Sequence, residues 1–391
     1  MIHPAIGDLL SGLGRHPAFR ELVRALSGED AAPALEVSGL TTTAKALYAV
    51  LLWQVTERPV LLIADGNQQA EALAEPIETF FDLLVAGRST PRPQLLPALD
   101  VLPAQHLSPH AEIAEQRAAA LWRLASERVP ITIAPAAAAM LRAEPSEFYR
   151  QLALALRPGD EIALEDLVAH LESIGYERRE PVGMVGEYSV RGGIVDIFSP
   201  EAIQPVRLEF YGDQIESIRR FDVDSQRSVL KVEECAALPL IEHPKSRALF
   251  EEIATATGGE TVPATGEPFP GWEFAVPLVR SRTNSIFALL DRPIVVWDEP
   301  ELLRGAAERL WKRLDAAERT ALCPPDRIFF HWDELIAQAA SAARVSWREL
   351  DLAGGASPAL RIPSRPTISF QGNMPVAVAE ARTQVENGAR V

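Results

Sequence analysis

The sequence predicts an α/β fold: a parallel-sheet domain in two chain segments, with a small α+β domain inserted between them. Three observations predict it. Through the first 150 residues, short apolar runs alternate with longer helical patterns, and such alternation implies a parallel sheet covered by helices. From about residue 157 one helix is followed by consecutive strand patterns, the mark of an α+β unit. Beyond about residue 240 the alternation returns, less clearly. The boundaries drawn on these grounds are 1–150, 151–240 and 241–350, with 351–391 as a linker and the truncated start of another domain. At 391 residues the chain exceeds what one core usually fills.

The elements follow in order. ALEVSG (34–39) reads as a strand, AKALYAVLLWQ (44–54) as a helix and PVLLIAD (59–65) as the next strand. NQQAEALAEPIETFFDLL (67–84) reads as a helix interrupted near Pro76, since proline lacks the backbone donor. PQLLPAL (93–99) and PITIAP (130–135) read as strands, with the helix AEIAEQRAAALWRLASE (111–127) between them. Ser108-Pro109 suits that helix's start, serine as cap and proline in the first turn. In the insertion, LEDLVAHLESIG puts Leu164, Leu167, Val168, Leu171 and Ile174 on one face, with Gly175 as the stop. The strand patterns EYSVRGGIVDIF, PVRLEFYGD and QIESIRRFD come next. TGGETVPATGEPFPG (257–271) is a loop by composition, and PIVVWDEPELLRGAAERLWKRL (293–314) a buried strand followed by a helix. After the linker DLAGGASPALRIPSRP, the helical pattern PVAVAEARTQVENG stops at GARV, where a strand is expected to begin.

Composition narrows the function. With 47% hydrophobic and 24% charged residues the chain is globular. A formal charge of −16 argues against non-specific nucleic-acid binding. Cys235 and Cys323 stand far apart, suggesting neither a disulfide framework nor a cysteine metal cluster. His106 and His110 flank Pro109 in a loop pattern, a poor setting for a metal. MIHPAIGDLLSGLG lacks the organisation of a signal peptide, and no apolar run nears the ~18 residues of a membrane span. A soluble, cytoplasmic protein is expected.

Two stretches carry chemistry. A phosphate-binding loop needs G-x-x-x-x-G-K-[ST] between strand and helix: backbone amides cradle phosphates, lysine neutralises them and the hydroxyl holds magnesium. VSGLTTTAKAL keeps Gly39 and Lys45 in that setting, but Ala44 replaces the second glycine and Ala46 lacks the hydroxyl. A left-handed Ala44 would be strained. Asp298 and Glu299, ending an apolar strand, stand where a metal-coordinating and a water-orienting acid would. The pattern predicts a dead nucleotide site.

The second stretch is GEYSVRGGIVDIFSP. Period-two alternation sends Ser189 and Arg191 to one face, and in VRLEFY it turns Arg207, Glu209 and Tyr211 outward. If the strands are neighbours, Arg191, Arg207 and Tyr211 share a patch rich in residues favoured at interface hot spots. Gly192 and Gly193 permit a bulge or a close backbone approach there. Any half-buried sheet also has a polar face, on which Glu209 or Asp213 pairs with the arginines. Arg178, Arg179, Arg219 and Arg220 read either as a basic rim or as solvated charges.

VSGLTTTAKAL, LDVLPAQHLSPHAEIAEQR, GEYSVRGGIVDIFSP, RLEFYGDQIESIRRFDVDSQRS and VVWDEPELL together resemble the N-terminal portion of bacterial transcription-repair coupling factors, from about residue 30 onward. That portion is similar to the excision-repair protein UvrB, which implies a helicase-like parallel-sheet domain in two segments with the smaller domain inserted. UvrB keeps an intact phosphate loop and a tyrosine-rich hairpin; here the loop is degenerate and the five tyrosines are scattered, so the coupling factors are the better match. The resemblance implies that the inserted domain binds UvrA through two arginines and an aromatic, matching Arg191, Arg207 and Tyr211, the last in place of a phenylalanine. It implies recruitment of UvrA to stalled RNA polymerase for nucleotide excision repair. ATP and magnesium, RNA polymerase and double-stranded DNA would engage only domains absent here, an ATP-dependent translocase among them, and those domains would mask the UvrA surface by intramolecular contact. Two alternatives stand beside this reading: an active UvrB-like ATPase using Lys45, Asp298 and Glu299, and a structural or autoinhibitory clamp on the translocase domains.

Overall fold

Strands that run VLLIA and IVVWD are apolar on both faces, and both are buried at every position, as strands covered by helices on two sides must be. In the computed structural model the described residues are 4–27, 35–85, 90–258, 266–350, 360–366 and 373–388. The middle of the 257–271 loop, linker residues 351–359 and the expected strand start after Gly388 lie outside them.

The first strands are β1 (Leu35–Ser38), β2 (Val60–Ala64), β3 (Gln94–Leu95) and β4 (Ile131–Pro135). Then come β5 (Leu154–Leu156), β6 (Glu177–Arg178), β7 (Glu187–Arg191), β8 (Ile194–Ile197), β9 (Val206–Tyr211), β10 (Gln214–Phe221), β11 (Ser228–Val232) and β12 (Cys235–Ala237). The last are β13 (Ile294–Asp298), β14 (Ala343–Arg348) and β15 (Leu360–Arg361).

A seven-stranded sheet in the order β15-β1-β14-β13-β2-β4-β3 is parallel throughout. Both chain segments contribute to it, and β13 and β14 of the second lie between β1 and β2 of the first. Alternate residues of β2 and β13 serve opposite cores. Leu62 and Val296 pack with helices Thr42–Thr56 and Asn67–Leu84, while Leu61 and Val295 pack with helices Ala111–Ser126 and Pro300–Ala317. The insertion is a six-stranded sheet, β11-β10-β9-β8-β7-β6, antiparallel except for β6 against β7. Helix Leu164–Ser173 covers one face: Leu167, Leu171 and Ile174 are buried with Tyr188, Val195, Leu208 and Ile218. Where the chain enters and leaves the insertion, β5 and β12 pair antiparallel.

Several elements depart from expectation. The helix at 67–84 runs unbroken through Pro76; the carbonyl that Pro76 has no N–H to reach belongs to Ala72, an exposed residue. The strand expected over 93–99 shrinks to Gln94–Leu95, because Pro93 and Pro97 have no N–H to give a ladder. Ser108 is not a cap. The helix starts at Ala111 with His110 before it, and the Ser108 hydroxyl accepts from the Gly271 N–H and donates to Glu273. Helix Met374–Glu386 forms as expected, capped by Asn373. Among the described residues no helix is long and apolar enough to cross a membrane, and no cluster of three or more metal-ligating side chains occurs.

Candidate functional site

EYSVRGGIVDIF folds as a hairpin. Gly192 and Gly193 are its two-residue connection rather than a bulge, with Gly192 at φ +59°. The register shifts lie on β10 instead. The close approach is real: the Phe210 N–H donates to the Gly193 carbonyl at 2.7 Å, and a Cβ on Gly193 would lie 3.0 Å from the Phe210 oxygen.

The arginine strands β7 and β9 are not neighbours; β8 lies between them. Ser189, Asp196, Arg207 and Arg219 stand directly opposite one another across β7, β8, β9 and β10. Asp196, 1% exposed, therefore sits beneath both arginines. Arg207 donates from Nε to Asp196 Oδ1 (2.7 Å), from Nη2 to Oδ2 (2.8 Å) and from Nη1 to the Gln226 carbonyl (3.2 Å). Its guanidinium lies 4.7 Å from the centre of the buried Phe221 ring. Arg191 Nη2 donates to Asp196 Oδ2 at 2.7 Å. Hydrogen bonding to Asp196 raises the Arg207 pKa, against the opposing pull of burial. Tyr211 is 82% exposed, while Tyr48, Tyr149, Tyr176 and Tyr188 are buried. The bridging acid is Asp196, neither Glu209 nor Asp213; Glu209 accepts from Ser217 and lies 3.8 Å from Arg219. Arg178, Arg179, Arg219 and Arg220 are all exposed, with Arg179 paired to Glu177.

The nucleotide-like loop lies in the parallel sheet, between β1 and helix Thr42–Thr56. Because the helix begins at Thr42, Ala44 and Lys45 fall in its first turn, and the left-handed strain considered for Ala44 does not arise. Three of the donors a phosphate would use are engaged: the Ala44 N–H by Thr41 Oγ1 (3.4 Å), the Lys45 N–H by the Thr41 carbonyl (2.8 Å) and the Thr41 N–H by Ser364 Oγ (2.8 Å). Ser364 also gives its own N–H (2.9 Å) and hydroxyl (2.8 Å) to the Gly39 carbonyl. Gly39 has φ +87°, and a Cβ there would lie 2.8 Å from the Ile362 oxygen. Ala46 is wholly buried in the apolar core.

Lys45 is 2% exposed, its Nζ 2.5 Å from Asp298 Oδ1 and 2.7 Å from Glu299 Oε1. Burial lowers its pKa, but the charges and hydrogen bonds of Asp298 and Glu299 outweigh burial and hold it above the ordinary value. Glu299, left-handed at φ +54°, also accepts from the Glu349 N–H. Lys45 and Arg348 share a cleft of about 420 Å³ with Asp65, Asp298, Glu299, Glu301 and Glu349. Arg348 is itself paired with Glu36 and Glu301. Five carboxylates against two engaged cations do not suit a polyphosphate.

Comparison with known proteins shows what this chain is similar to. Residues 154–243 match the family described as the UvrB interaction domain. The chain is 28% identical to the transcription-repair-coupling factor of Myxococcus xanthus over 98% of its own length and 34% of that protein.

The chain resembles transcription-repair-coupling factors.

It is 34% identical to the Escherichia coli (strain K12) protein over 53% of this chain, and 30% identical to the Bacillus subtilis (strain 168) protein over 49%. The chain spans about a third of the first relative's length and under a fifth of the other two. The face bearing Arg191, Arg207 and Tyr211 lies within the matched stretch; the cleft around Lys45 lies outside it.

Proposed function

We propose that this chain is the N-terminal module of a transcription-repair coupling factor, and that its inserted sheet recruits UvrA through Arg191, Arg207 and Tyr211. One observation carries the reading: on the outward face of a domain matching the UvrB interaction family, two arginines converge on one buried aspartate, and Tyr211, at the end of the strand that carries Arg207, stands exposed. Arginine and tyrosine at such positions combine large contact area with directed hydrogen bonding. In this reading the cleft around Lys45 does not hydrolyse nucleotide. ATP-driven movement on double-stranded DNA and contact with RNA polymerase belong to domains outside this chain, which also cover the UvrA surface until the protein opens.

The test is titration of the 391-residue chain with purified UvrA, wild type beside Arg191→Ala and Tyr211→Ala. Saturable binding is expected, weakened by ~2 kcal/mol, roughly 30-fold, in each variant. A folded chain that does not bind UvrA overturns recruitment; binding that ignores both substitutions moves the site elsewhere.

A further inference from the structure

Resting on the recruitment reading, we propose that Asp196 is a positioning residue of that surface: its buried carboxylate locks Arg191 and Arg207 into one cationic arrangement that fits the carboxylates of an acidic partner face. Asp196 is 1% exposed and beyond reach of a docked protein, so it acts only through what it holds.

Three guanidinium donors converge on its two oxygens: Arg207 Nε on Oδ1, and Arg207 Nη2 with Arg191 Nη2 on Oδ2. The Gln226 carbonyl and the Phe221 ring fix Arg207 further. Arg191, with 42% of its side chain exposed, has Asp196 as its one close partner among the described residues; Glu180 lies 3.9 Å away. Without Asp196, two long cationic side chains would repel and regain rotamer freedom, and a partner would have to order them again on binding. With it, the half-exposed guanidinium of Arg191 is held in place beforehand.

The proposal sets two effects against each other, and they differ in sign. Asp196→Asn removes a negative charge, so charge alone would make the face more attractive to an acidic partner. Positioning demands the opposite. We expect Asp196→Asn to weaken UvrA binding about tenfold or more, the scale of a disrupted buried charge pair at an interface. In an Arg191→Ala/Arg207→Ala background, the same substitution should change affinity less than about twofold, because its route of action is gone. Each variant's melting transition is measured alongside. Should Asp196→Asn lose that transition, Asp196→Glu decides: it keeps the charge but displaces the carboxylate by a methylene, and is expected to weaken binding too. Asp196→Asn (or the glutamate variant in its stead) binding as well as or better than wild type, while Arg191→Ala fails, overturns the positioning role alone. So does an undiminished effect in the arginine-free background. Arginine variants that bind like wild type overturn the surface and the Asp196 role with it.

Discussion

Lys45 is a buried cation held inside the parallel-sheet domain by an ion pair. Its ammonium is held by Asp298, itself 2% exposed, so neither charge can be removed alone without stranding the other in the interior. Lys45→Met is expected to destabilise the fold by about 3–5 kcal/mol in denaturant unfolding, and Lys45→Met with Asp298→Leu to recover most of that loss. Equal stability of wild type and Lys45→Met would mean the pair is not buried as described. The sign of the pH effect follows from the raised Lys45 pKa. Where Asp298, whose pKa burial pushes up, is ionised, the pair's stabilisation is complete below the ordinary lysine value of 10.5 and is lost as pH rises through the higher folded value. The stability gap between wild type and Lys45→Met should therefore narrow above about pH 10.5, and a gap constant with pH would count against it. At this scale the sequence shows the defects of the loop, since Ala44 and Ala46 are missing groups. It hides Asp196: IVDIF reads as an apolar run broken by one acid, and only the hairpin register places Ser189, Asp196 and Arg207 in one row.

At the scale of elements, β1 and the loop after it are clamped by the chain returning as β15. Ile362 is 3% exposed, and Ser364 bonds to both Gly39 and Thr41. Gly39 is the hinge pin of that contact, with φ +87° and no room for a Cβ. Gly39→Ala is expected to cost at least the ~1–2 kcal/mol of a left-handed non-glycine residue. The loss should be local, with faster amide exchange at residues 360–364 than in β2 or β13. Unchanged exchange there would refute the clamp. Strong elements are legible in the sequence: β2, β4 and β13 are buried, mostly apolar runs, and helix Leu164–Ser173 has a clean apolar face. β14 is not, although it lies between β1 and β13. Its sequence ARVSWR alternates buried and half-buried positions and carries two arginines, so it resembles an exposed strand more than a central one. Arg348 is accommodated by ending the strand at the cleft, where Glu36 and Glu301 receive it. Pairing with β1 across some three hundred residues of chain is invisible to any local pattern.

For the whole molecule, the two candidate sites make opposite use of charge. On the inserted sheet one buried acid gathers two arginines and leaves part of their donor capacity outward; in the parallel sheet's cleft, five acids surround two cations and leave none free. The first arrangement suits a protein surface bearing carboxylates, and the second offers a polyphosphate only cations already paired with acids. Thermal unfolding with magnesium-ATP separates the recruiting module from the hydrolysing alternative. A ligand at a hundred times its Kd would stabilise the fold by about 2.7 kcal/mol, enough to raise Tm by a few degrees. We expect no shift at millimolar magnesium-ATP, and UvrA binding that is the same with and without nucleotide. A rise in Tm that disappears in Lys45→Met would restore a nucleotide to the cleft. It would also require Lys45 to leave Asp298 for a phosphate, because the ammonium cannot stay 2.5 Å from that carboxylate and serve both.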